Sequence, residues 1–250
     1  MSVQTVSTMP LDIGEVLSDT FAVIGRTFVK LANIAVMFVA IPAAINIAGV
    51  ALTPVSPIFA VLSVIGALAS IVGAILAYGS IFLLAMEDLH GQSASPDAIF
   101  KTAMRKFWPL LGLVILMGIG IVLGGILLIV PGVVLALAWS VAMPALVVED
   151  RGVFESFGRS LALTRHKRWS IFLLFFLVTL VVAVVEVVLF ALFGGFHGLV
   201  SRQPSTINTV LSALVSVVTM PFGAVLSTAL FNQLRGREGY GAEAVAEVFA

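Results

Sequence analysis

Residues 31–86 contain no Asp, Glu, Lys, Arg or His. A helix rising about 1.5 Å per residue needs about 20 residues to cross a ~30 Å hydrocarbon core. The run is too long for one crossing and suits two. Pro54 and Pro57 divide it, because proline cannot continue a helix. This predicts spans over about 28–51 and 58–86. Residues 107–148 repeat the pattern, with a turn at Ile129-Val130-Pro131-Gly132. A fifth span over about 169–194 carries one acid, Glu186, and a sixth covers about 206–234.

Composition agrees. The 250 residues are 60% hydrophobic and 10% charged, and mean hydropathy is +1.18. A soluble domain carries about 25% charged residues, so the solvent for most of this surface is lipid. Strand-like alternation is missing, and helices satisfy their own backbone groups in lipid, so the expected fold class is all-α and polytopic. The opening MSVQTVSTMPLDIGEV lacks a basic start and has acids at Asp12 and Glu15, unlike a signal peptide. With no cysteine, disulfides and thiolate chemistry are excluded.

Lys and Arg mark the sides. Arg26, Lys30, Lys101, Arg105, Lys106, Arg151, Arg159, Arg165, Lys167, Arg168, Arg235 and Arg237 fall on one side, and Arg202 alone on the other. The positive-inside rule then puts both termini and the longer loops in the cytoplasm.

Three segments on that side share a pattern. Each starts with a short amphipathic stretch. The first has Ile13, Val16, Leu17, Thr20, Phe21 and Ile24; the second has Ile99, Ala103 and Phe107 after Ser95-Pro96-Asp97; the third has Phe154, Phe157 and Leu161. The stretches predict three interfacial helices. Each meets the next span in a basic–aromatic step: Arg26 with Phe28, Arg105 with Phe107, and Lys167-Arg168 with Trp169. Cations suit the headgroups and rings suit the interface, making these candidate lipid-headgroup contacts. The hairpins close alike, at Glu87-Asp88, Glu149-Asp150 and Asn232-Gln233. One reading is a threefold internal repeat of helix hairpins, over about 11–91, 95–152 and 153–236, within one membrane domain covering 1–250 and ending in a tail at 237–250. The other is convergence, since any cytoplasmic loop tends to be basic.

Chemistry-bearing motifs are few. Glu186 is the one acid inside a span and the candidate intramembrane polar site. Counting from Trp169 puts it about 26 Å in, near the far interface, where pairing with Arg202 or His197 competes with an ion or substrate role. His90, His166 and His197 have no metal-ligand spacing, and no nucleophile elbow or phosphate-binding loop occurs. No catalytic residue, cofactor or metal site is expected, and zero net charge argues against nucleic acid. Small residues recur at Ala69, Gly73 and Ala77, and at Gly120 and Gly124. They suit close helix packing, either within the chain or in a homo-oligomer. Mid-span polar residues are sparse: Asn46, Ser63, Ser70, Tyr78, Ser140, Thr179, Ser212 and Ser216.

Residues 11–31 and 124–172 together resemble a bacterial membrane-domain family named after glycerophosphoryl diester phosphodiesterases. The residues carrying the resemblance are Pro131-Gly132, Pro144, Glu149, Gly152, Ser156, Ser160 and Leu163. In the enzymes that name the family, a separate soluble barrel holds the catalytic groups. This chain has no stretch that could form one, so the resemblance implies a stand-alone membrane module of the bacterial inner membrane and no enzyme activity.

The expected function is therefore a non-catalytic module that binds, senses or moves membrane lipids or another amphiphile. A scaffold for a membrane-protein partner is the alternative, acting through Glu155, Arg159 and Arg165–Arg168. A small-solute transporter lies between them and requires a polar cavity.

Overall fold

The computed structural model describes residues 11–92, 95–165, 167–194 and 206–249. The side chains of 129, 193–194, 206–209 and 237–249 fall outside that description, as do His166, His197, Arg202 and Pro204. The chain is helical throughout these residues: α1 (Ile13–Ala35), α2 (Ile41–Leu52), α3 (Phe59–Leu89), α4 (Pro96–Arg105), α5 (Phe107–Leu127), α6 (Ile129–Ala138), α7 (Ala142–Val148), α8 (Val153–Thr164), α9 (Arg168–Leu189) and α10 (Thr206–Phe249). Six stretches are long and apolar enough to cross a membrane: Ile13–Leu52, Phe59–Leu89, Phe107–Leu127, Val130–Val148, Arg168–Leu192 and Val210–Gly236. Large apolar side chains cover the outside of every one of them, as a lipid-facing surface requires.

Proline shapes the first hairpin. Pro42 has no N–H to give the carbonyl of Phe38, four residues back. The chain widens there into a π turn, Val36–Ala40, and Ile41 N–H donates to the Val36 carbonyl. The Phe38 oxygen faces α3 at Gly73, where an added methyl would lie 2.1 Å from it. Two further glycines repeat this closeness: a methyl at Gly66 would meet Asn46 N at 2.4 Å, and one at Gly49 would meet Ser63 N at 2.3 Å. Asn46 also donates to the Ser63 carbonyl at 2.8 Å. Gly66 and Gly73 stand seven residues apart, so they lie on one face of α3. Small-residue packing is thus intramolecular at Gly73, and Ala77, four residues on, is fully buried as well. Gly120 against the Trp139 ring and Gly124 against Gly132 likewise pack within the chain.

The fourth span is interrupted. α6 ends at Ala138 and α7 starts at Ala142, which frees backbone groups in a place where lipid cannot satisfy them. Side-chain hydroxyls do so. Ser160 on α8 donates to the Ala138 carbonyl at 2.7 Å and accepts from Val141 N at 3.3 Å. Thr164 reaches the same carbonyl at 3.3 Å, and Ser227 on α10 donates to the Ser140 carbonyl at 2.8 Å. These bonds dock α8 and α10 onto the break. Ser160, carried in the resemblance above, owes its place in the fold to this repair.

One expectation needs correction. The first amphipathic stretch is not a separate surface helix. It continues unbroken into the first span as 40 helical residues. Its buried face runs Val16, Thr20, Val23, Thr27, Leu31 and Ala35, and it packs against α3 and α10. Phe21 meets Phe222 of α10 with ring centroids 5.7 Å apart, and Gln233 Nε2 donates to Glu15 at 2.6 Å. Helical backbone runs from the sixth span through to Phe249, into the stretch expected as the tail. α4 and α8 are separate short amphipathic helices, as expected.

Replacing Gly73 by Ala should destabilise the protein by about 1–3 kcal/mol, the usual cost of overpacking. Gly118→Ala, where nothing lies within 4 Å, should be neutral or slightly stabilising. Thermal unfolding of both variants in detergent distinguishes them; equal midpoints would contradict the close approach at Gly73.

Candidate functional site

The π turn, α2, α3 and α10 leave space between them. A cavity of about 520 Å³ lies there, lined by Val39, Ala43, Ala74 and Ala213 and by the polar Ser70, Tyr78, Ser216 and Thr219, with Met220 beside them. Small alanines on three elements create the volume. The volume is within the range of about 300–1,000 Å³ typical of ligand pockets. The hydroxyls are mostly occupied at home: Ser70 donates to the Gly66 carbonyl, Ser216 to Ser212 and Thr219 to Val215, at 2.8, 2.8 and 3.0 Å. None of the lining side chains is charged. Such a wall solvates methylenes and an occasional ester or hydroxyl far better than an ion. Along α3, Ser70 and Tyr78 lie about 17 and about 29 Å from its start at Phe59. For a core about 30 Å thick, Ser70 is near the middle and Tyr78 near the boundary. The third hairpin contributes lining only from α10 and the second contributes none, so the cavity is not a central one enclosed by all three.

The charged groups gather beyond the other end of the bundle. Arg26 pairs with Asp88 at 2.7 Å, tying α1 to the end of α3. Lys106 is buried and pairs with Asp150. Burial, and then the adjacent Arg105 cation, push its ammonium pKa below the ordinary value. Asp150 has φ +54°, a left-handed conformation that Asp tolerates better than most residues. Glu149 is the hub. Arg151 Nε lies 2.5 Å from Oε2, Arg159 donates from Nε at 3.0 Å, and Arg235 approaches to 3.9 Å. Burial pushes the Glu149 carboxyl up, but the hydrogen bonds and charges of Arg159 and Arg151 outweigh it and hold the pKa below its ordinary value. The hub joins the end of α7, the middle of α8 and α10.

The sequence-predicted site residues divide accordingly. Phe28 and Trp169 are exposed on lipid-facing surface, and Trp169 meets Phe172 edge-on. Arg105 is exposed and Phe107 half-buried. Lys167 and Arg168 are half-buried, and Arg168 Nε lacks a hydrogen-bond partner among the described residues. Arg26 is engaged with Asp88. These three joints are not brought together into one site. Glu186 is half-buried on α9, the span least enclosed by protein; its suggested partners Arg202 and His197 lie outside the described residues. Sequence reasoning missed Lys106 by choosing its neighbours. The signal was there: Ile99, Ala103, Lys106 and Leu110 follow the i, i+4, i+7, i+11 spacing of one helical face, and all four are buried. Among the described residues no group of three or more His, Asp or Glu side chains converges as a metal site.

Residues 99–234 match the family described as Domain of unknown function (DUF7847). The chain belongs to that family. The matched region opens in α4 and closes within α10 at Leu234, so it takes in Lys106, Glu149 with Arg151 and Arg159, Ser160 and one wall of the cavity. The π turn, α2 and α3, which supply the cavity's other walls, lie outside it. The DUF7847 description assigns no activity and draws no link to phosphodiesterase-associated membrane domains. No curated protein and no solved structure matches the chain.

Glu149→Gln should lower stability by about 1–3 kcal/mol, the range for a buried hydrogen bond to a charged group. The sign of the pH effect follows from the depressed pKa. The carboxylate's contribution is complete above its ordinary value of 4.5 and is lost as pH falls through the lower folded value. Unfolding midpoints recorded from pH 7 down to pH 3 should therefore drop more steeply for the parent protein than for Glu149→Gln.

Proposed function

We propose that this DUF7847 protein is a non-catalytic multi-pass module of the bacterial inner membrane that binds, senses or moves a lipid or similar amphiphile. The carrying observation is the cavity between the π turn, α2, α3 and α10: a place reaching into the hydrocarbon, greasy walls and a few hydroxyls. An acyl chain suits that lining. A hydrated ion or small polar solute would meet hydroxyls already bonded to their own helices. In this reading both termini are cytoplasmic, which the distribution of Lys and Arg supports.

We also favour the threefold repeat. Two of the three units pair a cation from their start with an acid from their close: Arg26 with Asp88 and Lys106 with Asp150. Glu87-Asp88 and Glu149-Asp150 stand 62 positions apart, and so do Arg105 and Lys167. The third unit has no acid at its close, and its Arg235 leans on Glu149 from the second.

The scaffold alternative draws less support. Arg159, one of its main residues, is taken up by Glu149, and Glu155 caps α8 through the Gly152 N–H at 3.4 Å. Polar side chains holding the fold together are poorly placed to recognise a partner.

A test uses the purified chain in vesicles containing a phospholipid with a photoactivatable acyl chain. Cross-linking is expected on peptides carrying Tyr78 or Met220. Ala74→Trp, which fills the cavity, should cut that labelling about tenfold while leaving labelling of the outward face of α9 unchanged. Labelling spread evenly over all lipid-facing surfaces would sink the proposal.

A further inference from the structure

A second cavity, of about 330 Å³, opens between α1, α3 and α4. Its depth follows from helix length. Counting about 20 residues from Leu52 back along the first span reaches the region of Lys30 and Asn33, and the same count from Phe59 along α3 reaches Gly79 and Ser80. α5 starts at Phe107 and needs its full length to cross, which sets α4 at the same level. This cavity thus sits at the hydrocarbon boundary, on the side rich in Lys and Arg.

Its lining is unlike that of the first. Lys30 and Asp97 bring opposite charges, Asn33 brings an amide, and Ser80 a hydroxyl, over apolar walls that include Phe38 and Phe100. Those two rings stack at 5.9 Å. Among the described residues, neither Lys30 nor Asp97 has an ion pair. Ser80 is 2% exposed and its Oγ has no hydrogen-bond partner. A buried hydroxyl left without a partner is costly enough to call for an explanation, and a ligand oxygen is one. Asp97 occupies the first turn of α4, whose cap is Ser95 with its Oγ accepting from Ala98 N at 3.3 Å. Asp97 is therefore not needed as the cap and is free to face a ligand.

We propose that this cavity seats the headgroup of one zwitterionic phospholipid carrying a primary amine, of the phosphatidylethanolamine class. Lys30 and Asn33 hold the phosphate, Asp97 accepts from the ammonium, and Ser80 donates to a glycerol-ester oxygen beneath. The inference rests on the lipid-binding reading above and adds the headgroup class. Charge complementarity selects the occupant. An anionic headgroup would satisfy Lys30 but leave Asp97 facing like charge. A choline headgroup would bring the cation without N–H donors.

Native mass spectrometry of the purified full chain, offered phosphatidylethanolamine, phosphatidylcholine and phosphatidylglycerol with identical acyl chains, tests this. One phosphatidylethanolamine per chain is expected, retained about fivefold to tenfold over phosphatidylglycerol, the ratio that one hydrogen bond to a water-exposed carboxylate provides. Asp97→Asn should erase that preference, Asp97→Glu should keep most of it, and Lys30→Gln should lower retention of all three lipids. Lys30 and Asp97 are exposed, so these variants are expected to fold. A retained lipid whose preference survives Asp97→Asn, or whose retention ignores Lys30→Gln, overturns the headgroup site and leaves lipid binding standing. No retained lipid of any class sinks both.

Discussion

Backbone groups freed inside a membrane must find partners, and the first and fourth spans of this protein are built around that demand. The first span widens its helix and the fourth breaks it, and each irregularity is answered from elsewhere in the chain. At Pro42 the answer is geometric: a π turn absorbs the missing N–H, and glycine on α3 lets the loosened carbonyl approach. At residues 138–141 the answer is chemical, with Ser160, Thr164 and Ser227 supplying the hydroxyls. Both repairs lock one helix to another, so the irregularities act as the joints of the fold. A straight set of six apolar helices would have no comparable reason to choose one arrangement in lipid, where hydrophobic burial does not drive helices together.

The two cavities follow from the same irregularities. The π turn lies between them, with Val39 lining one and Phe38 the other. Widening the helix by one residue splays neighbouring side chains apart and opens space on both sides of α1. The cavities then differ by depth. The deeper one meets α3 and α10 where hydroxyls are self-satisfied; the shallower one meets α4 where charges become affordable. An amphiphile has the same gradient along its own length, which is why the two linings are read as parts of one solvent problem.

Much of this was legible in the sequence. Charge-free runs and prolines place the six spans, because crossing a bilayer tolerates so little else. The cap at Ser95 and the glycine and acids around 149–152 likewise announce α4 and α8. What stayed hidden depends on which faces meet. Asp12, Glu15 and Asp19 make residues 13–27 look like a surface helix, yet Val16, Thr20 and Val23 face α3 and α10, and the helix never leaves the first span. Lys106 was overlooked because a lysine beside an arginine reads as solvated charge, although its helical position aligns with Ile99 and Ala103. The cavity was invisible, since alanines at 43, 74 and 213 are far apart in the chain and none differs from dozens of other small residues.

The contact between α1 and α10 joins the first residues described to nearly the last. A ribosome releases them far apart in time. The first hairpin can close on itself early, through Gly49, Gly66 and Gly73, but it must wait in the bilayer with Val16, Thr20 and Val23 uncovered until the sixth span arrives. The deeper cavity has no fourth wall until then. Assembly of this protein is accordingly a ring that shuts last at its oldest segment, and the deeper cavity is completed only by that final step.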